Sequence, residues 1–407
     1  MKQIDAVILA GGKGSRIKSY LGKNPKPLVK LGNRSFLEYL INNICKYNIR
    51  TIYILAGYKG IKIYKKFNNK IINFVKIKCI IEKKPLGTGG CLHLIKNKIS
   101  NKFLVFNGDS IFDININDFT KVRMNKNDIV LAVTKNTNYS SNTKLSNLHI
   151  TKEKRVVFKE NSRIINGGVY FFNKTIFKSV KNKNISLEDD IIEKAIGNHQ
   201  VKGFYSNNFF LDIGTKKNLL LAKKKIPSYF YRPAIFLDRD GTINEDKGYV
   251  HKINDFILKK KIKKSLEFFS QNNFYLFIVT NQAGIGHGFY KIKDFIKLHK
   301  FIKFNFIKKN IFINEVKFCP YHPKAKIKRF RKRSSFRKPN NSMINEILRD
   351  WDVDIKRSLM IGDKKIDQQC AERSKLKFIY YSKNIFSDVK KRLKYTSNYF
   401  VSLAYHY

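Results

Sequence analysis

Short apolar runs recur along the first half of the chain, and each is followed by glycine or asparagine. Residues 6–10, 51–56 and 102–106 have the length of buried strands, whereas residues 35–46 place apolar side chains at helical spacing. Strands that alternate with helices indicate a mainly parallel sheet with helices on both faces. Ligands of such folds bind at the carboxyl ends of the strands.

The same alternation restarts in the second half, after a lysine run at residues 223–225 and two prolines, Pro227 and Pro233. We therefore predict an α/β protein with two doubly wound parallel-sheet domains. The predicted boundaries are residues 1–225 and 233–390 for the domains, 226–232 for a linker, and 391–407 for a tail of unassigned role.

The chain is strongly basic, with 82 Lys+Arg against 30 Asp+Glu and a formal net charge of +52 over 407 residues. Such a charge is typical of proteins that bind polyanions. Lysine, asparagine and isoleucine are abundant throughout, however, so a general compositional bias explains the charge as well. No basic helix or aromatic–basic motif of a nucleic-acid-binding kind accompanies it. We expect small phosphorylated ligands and no specific nucleic-acid partner.

The five cysteines are widely spaced and form no Cys-x-x-Cys pair, which favours reduced thiols and a cytoplasmic location. The apolar run at residues 6–10 is too short for a signal peptide, and no run has membrane-spanning length. We expect no membrane partner. The hydrophobic share of 43% is enough for real cores and argues against disorder of the whole chain.

A glycine-rich turn with nearby cations follows the first predicted strand. Glycines let backbone N–H groups approach an anion closely, and cations stabilise charge on a leaving pyrophosphate. The candidate phosphate-binding residues are Gly11, Gly12, Gly14 and Ser15, and the candidate catalytic cations are Arg16 and Lys26.

These motifs resemble the sugar-nucleotide pyrophosphorylase family, a group of nucleotidyltransferases with a Rossmann-like fold, over residues 1–225. The resemblance implies a base-bordering loop, a sugar-contacting turn, a sugar-hydroxyl site and two carboxylates that hold Mg²⁺. The corresponding residues are Gly87, Thr88 and Gly89 for the base, Asn166 and Gly167 for the turn, Glu188 for the hydroxyl, and Asp109 and Asp212 for the metal.

The strongest motif is Asp238-Arg239-Asp240-Gly241-Thr242, at the end of a predicted strand. Asp238 can attack phosphorus as a nucleophile, and Asp240 can protonate the leaving oxygen and then activate water. Charges about 4 Å apart at an effective dielectric of about 20 repel by about 4 kcal/mol. Two carboxylates facing a phosphate therefore require a cation, and we expect Mg²⁺.

Downstream motifs complete a set that resembles the haloacid dehalogenase phosphatase superfamily. Thr280, Asn281 and Gln282 would bond phosphoryl oxygens, Arg337 would bind substrate, and Lys338 would neutralise the transferring group. The metal ligands implied are Asp238, Asp240 and Asp363, with Asp367 completing the site. Only a short segment separates the first two motifs, so we expect a minimal cap.

Within that superfamily the motifs resemble the branch of heptose bisphosphate and histidinol phosphatases, which often carries a zinc loop. Cys319 is present, but Tyr321, Ser334 and Phe336 occupy positions of the other ligands, with His322 one place late. Tetrahedral zinc needs four ligands. We therefore predict that no zinc is bound.

Two such sites in one chain indicate consecutive reactions. The resemblances together imply a phosphatase acting on D-glycero-D-manno-heptose 1,7-bisphosphate, followed by nucleotide transfer, with GTP favoured, for surface polysaccharide. Three alternatives stay open: a mannose or other hexose 1-phosphate nucleotidyltransferase fused to a phosphatase of different substrate, a histidinol phosphatase, and a polyanion-binding protein on a degenerate enzyme scaffold.

Overall fold

The computed structural model describes residues 3–135, 144–178, 180, 184–382 and 384–394. The chain divides into two compact units between Ser228 and Tyr229. The division falls inside the helix Lys216–Phe230, so most of the stretch expected as a linker is helical, with Pro227 inside the helix. Residues 395–407 of the expected tail lie outside the described residues, whereas residues 391–394 end the last helix.

The N-terminal unit is built on one large mixed sheet and two small ones. Its strands are β1 Ile4–Ala10, β2 Lys30–Leu31, β3 Arg34–Ser35, β4 Ile49–Ala56, β5 Ile71–Ile72, β6 Val75–Ile81, β7 Lys102–Asn107, β8 Ser110–Phe112, β9 Ile129–Lys135, β10 Leu148–Ile150, β11 Val156–Phe158, β12 Ile164–Asn173, β13 Val201–Tyr205 and β14 Phe210–Asp212.

The centre of the large sheet is parallel, as predicted. Strands β7, β1, β4 and β6 lie side by side in that order and run in one direction. Strand β12 enters antiparallel to β7 and β9, which makes the whole sheet mixed. Because β1, β4 and β7 are parallel, their carboxyl ends meet at one edge: Tyr58 N donates to Gly11 O at 3.1 Å, and Gly108 N donates to Leu9 O at 2.9 Å.

Helices connect these strands. They are α1 Lys18–Leu21, α2 Phe36–Cys45, α3 Gly60–Phe67, α4 Gly87–Gly90, α5 Ile116–Phe119, α6 Glu193–Gly197 and α7 Lys216–Phe230, with a π-helical turn at Leu187–Ile192 before α6. Helix α2 begins with a capping box, in which Ser35 and Glu38 satisfy each other's backbone N–H groups.

The C-terminal unit has one five-stranded sheet in which every strand is parallel to its neighbours. Its elements are β15 Ala234–Leu237, α8 Lys260–Gln271, β16 Tyr275–Asn281, α9 Ala283–His287, α10 Ile292–Ile307, β17 Ile313–Cys319, α11 Ser342–Asp350, β18 Leu359–Gly362, α12 Lys365–Arg373, β19 Lys377–Tyr380 and α13 Ile385–Lys394. The strand order is β17–β16–β15–β18–β19, which places β15 at the centre.

Alternate residues of this sheet enter two separate cores, as the strand period of two requires. Ile235 and Leu237 pack with side chains of α8 and α10, whereas Phe236 packs with those of α11 and α12. The predicted doubly wound α/β fold is confirmed in this unit. The segment from residue 238 to 259 contains no inserted domain, which matches the expected minimal cap.

Among the helices of the described residues, none is both long enough and apolar enough to cross a bilayer.

Shortening a core side chain should destabilise the C-terminal unit selectively. Leu266 is fully buried on α8, and Leu266→Ala should lower the free energy of unfolding by about 2–5 kcal/mol, because apolar contacts are lost and a cavity remains. Trp351 is the single tryptophan of the chain and lies in this unit. Its fluorescence during urea unfolding of the full chain therefore measures the loss.

The control is Ile257→Ala, at a side chain that is 40% exposed in the same unit. It should cost less than about 1 kcal/mol. Equal losses for the two variants would contradict the described core.

Candidate active sites

The N-terminal site begins with a tight loop after β1. Gly14 has φ +63°, in the left-handed region that favours glycine, and it precedes a 3-10 turn at Ser15–Ile17. Gly11 lies against the Glu82 carboxylate, where an added Cβ would come within 2.6 Å of Oε1. Gly14 therefore suits the backbone conformation of this loop, and Gly11 lets the loop lie close to Glu82.

Residues of this loop line a cavity of about 710 Å³. Most of the residues predicted for this site line that cavity. They are Gly11, Gly12, Gly14, Ser15, Arg16, Lys26, Gly87, Thr88, Asp109 and Glu188. A cavity of this size is in the range that holds small-molecule ligands.

The two predicted metal carboxylates of this unit are brought together by a short antiparallel pair. Strand β14 pairs with β8 so that Asp212 lies opposite Ser110, and Ile213 N donates to Asp109 O at 2.8 Å. Lys26 Nζ lies 2.6 Å from Asp109 Oδ2. Burial raises the pKa of Asp212, and the nearby charge of Asp109 raises it further. Two carboxylates that raise each other's cost of ionisation offer the oxygen ligands that a hard divalent cation takes.

Glu188 stands at the centre of a polar cluster. Its Oε1 accepts hydrogen bonds at 3.2 Å from Asn107, Asn166 and the Tyr170 hydroxyl. Burial raises the pKa of Glu188, while the bond from Asn107 opposes that shift. All three of these bonds go to one oxygen, which leaves Oε2 available to accept from a ligand.

Four predicted residues do not line the cavity. Asn166 donates to the lining residue Glu188 at 3.2 Å, and Asp212 lies beside the lining residue Gly214, whose N–H donates to Asp212 Oδ1 at 2.7 Å. Gly89 N donates to Ile185 O at 2.8 Å, and a side chain at Gly167 would overlap the Phe112 ring. The two glycines permit close packing behind the cavity.

The sequence analysis missed Glu82. This carboxylate lines the cavity, and its Oε2 accepts from Leu86 N at 3.2 Å. Burial raises its pKa. The sequence signal that could have identified Glu82 is its position shortly before the glycine-rich loop that was assigned to the nucleotide base.

The C-terminal site is centred on Asp238, at the end of β15. Lys338 Nζ lies 2.7 Å from Asp238 Oδ1 and 2.6 Å from Asp367 Oδ1. Burial opposes the charge of Lys338, but the two carboxylates outweigh it and raise its pKa. Burial also raises the pKa of Asp238, against the effect of Lys338. Asn281 fixes this lysine through both amide atoms, at 3.0 and 3.1 Å from the Lys338 backbone.

Asp238, Asp363 and Asp367 offer oxygens that lie within 4.8 Å of one another. Burial and the charge of Asp238 raise the pKa of Asp363 to about 6. Asp363 Oδ1 is buried and has no hydrogen-bond partner. Gly241, at φ +84°, makes room for this carboxylate, which a side chain there would overlap. Crowded carboxylates with an unsatisfied oxygen fit a hard divalent cation.

The structure does not bring the Asp240 carboxylate into the candidate metal group of Asp238, Asp363 and Asp367, so its predicted metal role stays a prediction. Its carboxylate accepts bonds from Arg239 Nε and Nη2 at 2.6–3.0 Å, from Asn244 at 3.0 Å and from Gln282 at 3.0 Å. The fully buried Arg239 guanidinium binds this carboxylate, so Asp240 does not belong to the three-carboxylate group, in which Asp367 stands instead.

The remaining predicted residues meet around a cavity of about 400 Å³. It is lined by Asp238, Asp240, Thr280, Asn281, Gln282, Arg337 and Lys338. Asp363 lies behind this lining, next to Gly241. His287, His322 and Tyr249 also line the cavity, and the sequence analysis did not place any of the three in a site.

Packing holds the segment that resembles a zinc loop. The Cys319 thiol is buried, which raises its pKa, and its Sγ lies 3.8 Å from Tyr321 O. Tyr321 and Phe336 pack against the core, and Lys332 Nζ lies 4.2 Å from the centre of the Tyr321 ring. Among the described residues, Asp238, Asp363 and Asp367 form the one group of at least three side chains that could hold a metal ion.

Comparison with known proteins identifies both units. A family model described as nucleotidyl transferase matches residues 5–229, and one described as HAD-hydrolase-like matches residues 335–403. The chain belongs to the nucleotidyl transferase family. Both of the predicted family resemblances are confirmed.

Curated relatives cover the two units of this nucleotidyl transferase separately. D-glycero-alpha-D-manno-heptose 1-phosphate guanylyltransferase of Campylobacter jejuni is 30% identical over 219 residues, which are 53% of this chain and 96% of the relative. The protein of that name from Aneurinibacillus thermoaerophilus is 31% identical over 234 residues, 56% of this chain and 100% of the relative.

In the second unit, D-glycero-alpha-D-manno-heptose-1,7-bisphosphate 7-phosphatase of Burkholderia mallei is 43% identical over 136 residues, which are 33% of this chain and 72% of the relative. The nucleotidyl transferase therefore carries a second enzymatic unit of phosphatase type.

Adding Mg²⁺ should raise the melting temperature of the C-terminal unit, followed by Trp351 fluorescence, because a cation that binds the folded carboxylate group stabilises the folded state. Without metal, ionisation of Asp363 destabilises this unit as the pH rises through about 6, since its folded pKa is raised. Mg²⁺ should therefore stabilise more at about pH 7.5 than at about pH 5, where protons compete with the metal.

Asp363→Asn should remove most of this gain, whereas Glu372→Gln, at an exposed residue of α12, should keep it. A Mg²⁺ effect that is the same in both variants would place the cation elsewhere.

Proposed function

We propose that this chain is a bifunctional cytoplasmic enzyme of nucleotide-sugar synthesis. It removes the 7-phosphate from D-glycero-D-manno-heptose 1,7-bisphosphate and transfers GMP from GTP to the resulting heptose 1-phosphate, for surface polysaccharide. The observation that carries the proposal is that one chain joins two sites with intact acidic and cationic residues, in units whose relatives act on successive heptose phosphates.

In the phosphatase site, an Asp238 oxygen attacks the phosphorus of the 7-phosphate as the bond from phosphorus to O7 breaks. Asp240 gives a proton to O7 and later takes one from the water that attacks the phosphorus of the aspartyl phosphate. Because Asp240 accepts from Arg239, Asn244 and Gln282, it must give up one of these bonds when it takes a proton.

Besides its contact with the two carboxylates, Lys338 stabilises negative charge on the phosphoryl group in this step. Its ammonium group contacts Asp238, so it lies beside the phosphoryl group that the nucleophile attacks and neutralises part of its charge. Asp238, Asp363 and Asp367 would hold Mg²⁺, which supplies further positive charge to the phosphoryl oxygens when bound.

In the transferase site, an oxygen of the sugar 1-phosphate attacks the α-phosphorus of the nucleotide, and pyrophosphate leaves. The glycine loop offers backbone N–H groups to the phosphates, and Arg16 and Lys26 stabilise the charge on the departing pyrophosphate. Asp109 and Asp212 would hold Mg²⁺, which supplies charge stabilisation at the phosphates when bound.

Glu82 supports the choice of GTP. Guanine presents two adjacent donors, N1–H and N2–H, which a carboxylate can accept together. Uracil and thymine present a single N–H between two carbonyl oxygens, which a carboxylate repels. A half-buried carboxylate beside the loop that resembles a base-binding loop therefore favours guanine.

Glu188 supports an uncharged sugar end at the transferase site. Its remaining carboxylate oxygen can accept from a sugar hydroxyl, whereas a second phosphate would bring a dianion towards a buried carboxylate. Burying like charges without a partner costs several kcal/mol. The order phosphatase first and transferase second follows from this charge.

The two activities should be separable by single substitutions. Asp238→Asn should lower phosphate release from heptose 1,7-bisphosphate by more than about 1000-fold, because an amide is a very poor nucleophile. It should keep pyrophosphate release from heptose 1-phosphate and GTP, in a panel with ATP, CTP and UTP. Lys26→Ala and Asp109→Ala should do the reverse.

The matched control is Asp118→Asn, at an exposed carboxylate that pairs with Lys121. It should change neither activity. Loss of both activities in folded Asp238→Asn protein would refute the two-site account, and turnover of hexose but not heptose phosphates would refute the proposed substrate.

A further inference from the structure

Gln282 is held in one orientation beside the phosphatase cavity. Its Nε2 donates to Asp240 Oδ2 at 3.0 Å and to Thr280 Oγ1 at 2.9 Å, and its Oε1 accepts from the Tyr290 hydroxyl at 2.5 Å. These bonds use both amide hydrogens and occupy the carbonyl oxygen. Gln282 and Tyr290 are both buried, so little water competes for these bonds. The mechanism proposed above does not use Tyr290.

Packing fixes the ring of Tyr290. It is stacked on the His251 ring, with the centroids 4.7 Å apart and an interplanar angle of 6°. Gly284 leaves the space in which the ring lies, since an added Cβ there would come within 2.4 Å of Tyr290 Cε1. Burial raises the pKa of Tyr290, although the charge of Arg239 opposes that shift. The hydroxyl therefore keeps its proton and acts as a donor.

The two oxygens of Asp240 have different surroundings. Oδ1 accepts from Arg239 Nε at 3.0 Å, from Arg239 Nη2 at 2.8 Å and from Asn244 Nδ2 at 3.0 Å. Asn244 Nδ2 also donates to Glu245 O at 2.7 Å, which fixes that amide as a donor. Oδ2 accepts from Arg239 Nη2 at 2.6 Å and from Gln282. Oδ2 has fewer donors around it, so it is the oxygen that accommodates a proton more easily.

The orientation of the Gln282 amide decides where that proton can go. Beside a protonated Oδ2, Gln282 presents an N–H donor, so the proton is left to the leaving oxygen of the substrate. If the amide turned over, its carbonyl oxygen would accept the Asp240 proton and hold it away from the leaving oxygen. The Tyr290 hydroxyl opposes that turn, because the turn would break its bond to the carbonyl oxygen.

We propose that Gln282 and Tyr290 are positioning residues that keep the proton of Asp240 available to the leaving oxygen. In this step an Asp238 oxygen forms a bond to phosphorus, the bond from phosphorus to the leaving oxygen breaks, and the Asp240 proton passes to that oxygen. The inference rests on the proposed function in taking the C-terminal unit to be a phosphatase that uses these two carboxylates. It assigns Gln282 an action through Asp240, where the sequence predicted a direct contact with phosphoryl oxygens.

The test compares two leaving groups on the same protein. Heptose 1,7-bisphosphate releases an alkoxide that needs a proton, whereas p-nitrophenyl phosphate releases a stabilised phenolate that does not. The ratio of kcat/KM for the sugar phosphate to kcat/KM for the aryl phosphate reports the formation of the aspartyl phosphate, and it does not depend on the folded fraction. Tyr290→Phe should lower this ratio about fivefold, and Gln282→Leu at least about tenfold.

A double variant tests the connection between the two residues. Tyr290→Phe combined with Gln282→Leu should have the same ratio as Gln282→Leu alone, because Tyr290 acts through Gln282. The matched control is Tyr275→Phe, which removes another buried hydroxyl of the same unit, one that donates to Phe230 O at 2.8 Å. It should leave the ratio unchanged. A further loss in the double variant would contradict the proposed connection.

The two roles of Gln282 predict different results. If Gln282 contacts the phosphoryl group directly, Gln282→Leu should lower kcat/KM equally for both substrates, because both carry that group. An unchanged ratio would therefore overturn the proposal and favour the direct contact.

Phenyl phosphate, compared with p-nitrophenyl phosphate, separates this inference from the heptose assignment. Its phenolate is a poorer leaving group, so its hydrolysis depends more on the proton of Asp240. If heptose 1,7-bisphosphate is not hydrolysed and Tyr290→Phe lowers the ratio for the two aryl phosphates, the positioning role stands and the heptose assignment falls. If heptose 1,7-bisphosphate is hydrolysed and Tyr290→Phe changes neither ratio, the positioning role is refuted and the phosphatase activity stands.

Discussion

Repulsion between carboxylates at the carboxyl ends of parallel strands is the constraint on which both sites depend. In the C-terminal unit the acidic side chains meet at such an edge, and in the N-terminal unit Asp109 follows the parallel strand β7 while Asp212 is brought to it by the antiparallel pair of β14 and β8. A pair of carboxylates about 4 Å apart at an effective dielectric of about 20 repels by about 4 kcal/mol. A lysine offsets part of this cost in each unit: Lys26 contacts Asp109, and Lys338 contacts Asp238 and Asp367. The repulsion that the lysines leave uncompensated is the reason why we propose a divalent cation at each site.

Glycines make this arrangement possible in the chain. Gly241 and Gly362 leave space for the carboxylates of Asp363 and Asp367, which side chains at those positions would overlap. Gly286 lets the end of α9 pack closely against the backbone at Pro320. The short loops of the C-terminal unit therefore bring charged groups into contact without a large cap domain, and the substrate must be recognised by side chains of those loops.

Local motifs indicated which residues come together around the two cavities, because strand ends and glycine turns place neighbouring residues at one edge of a sheet. The structure departs from the expected arrangement where packing decides a residue's surroundings. Asp240 was assigned to the metal, but the guanidinium of the adjacent Arg239 folds back onto it. Gly167 was assigned to the sugar, and the structure places it where an added side chain would overlap Phe112. The approach of His287 to His322 depends on packing between α9 and a later loop, which no local pattern in the sequence shows.

The central claim is that the two sites act in sequence on one sugar, and a phosphorus NMR time course tests it most directly. Purified enzyme would receive heptose 1,7-bisphosphate, GTP and Mg²⁺, and inorganic phosphate, heptose 1-phosphate, pyrophosphate and GDP-heptose would be followed together. The account predicts that inorganic phosphate and heptose 1-phosphate appear first and that pyrophosphate and GDP-heptose rise as heptose 1-phosphate is consumed. Pyrophosphate release before inorganic phosphate, with a nucleotide-linked heptose that still carries its 7-phosphate, would contradict it.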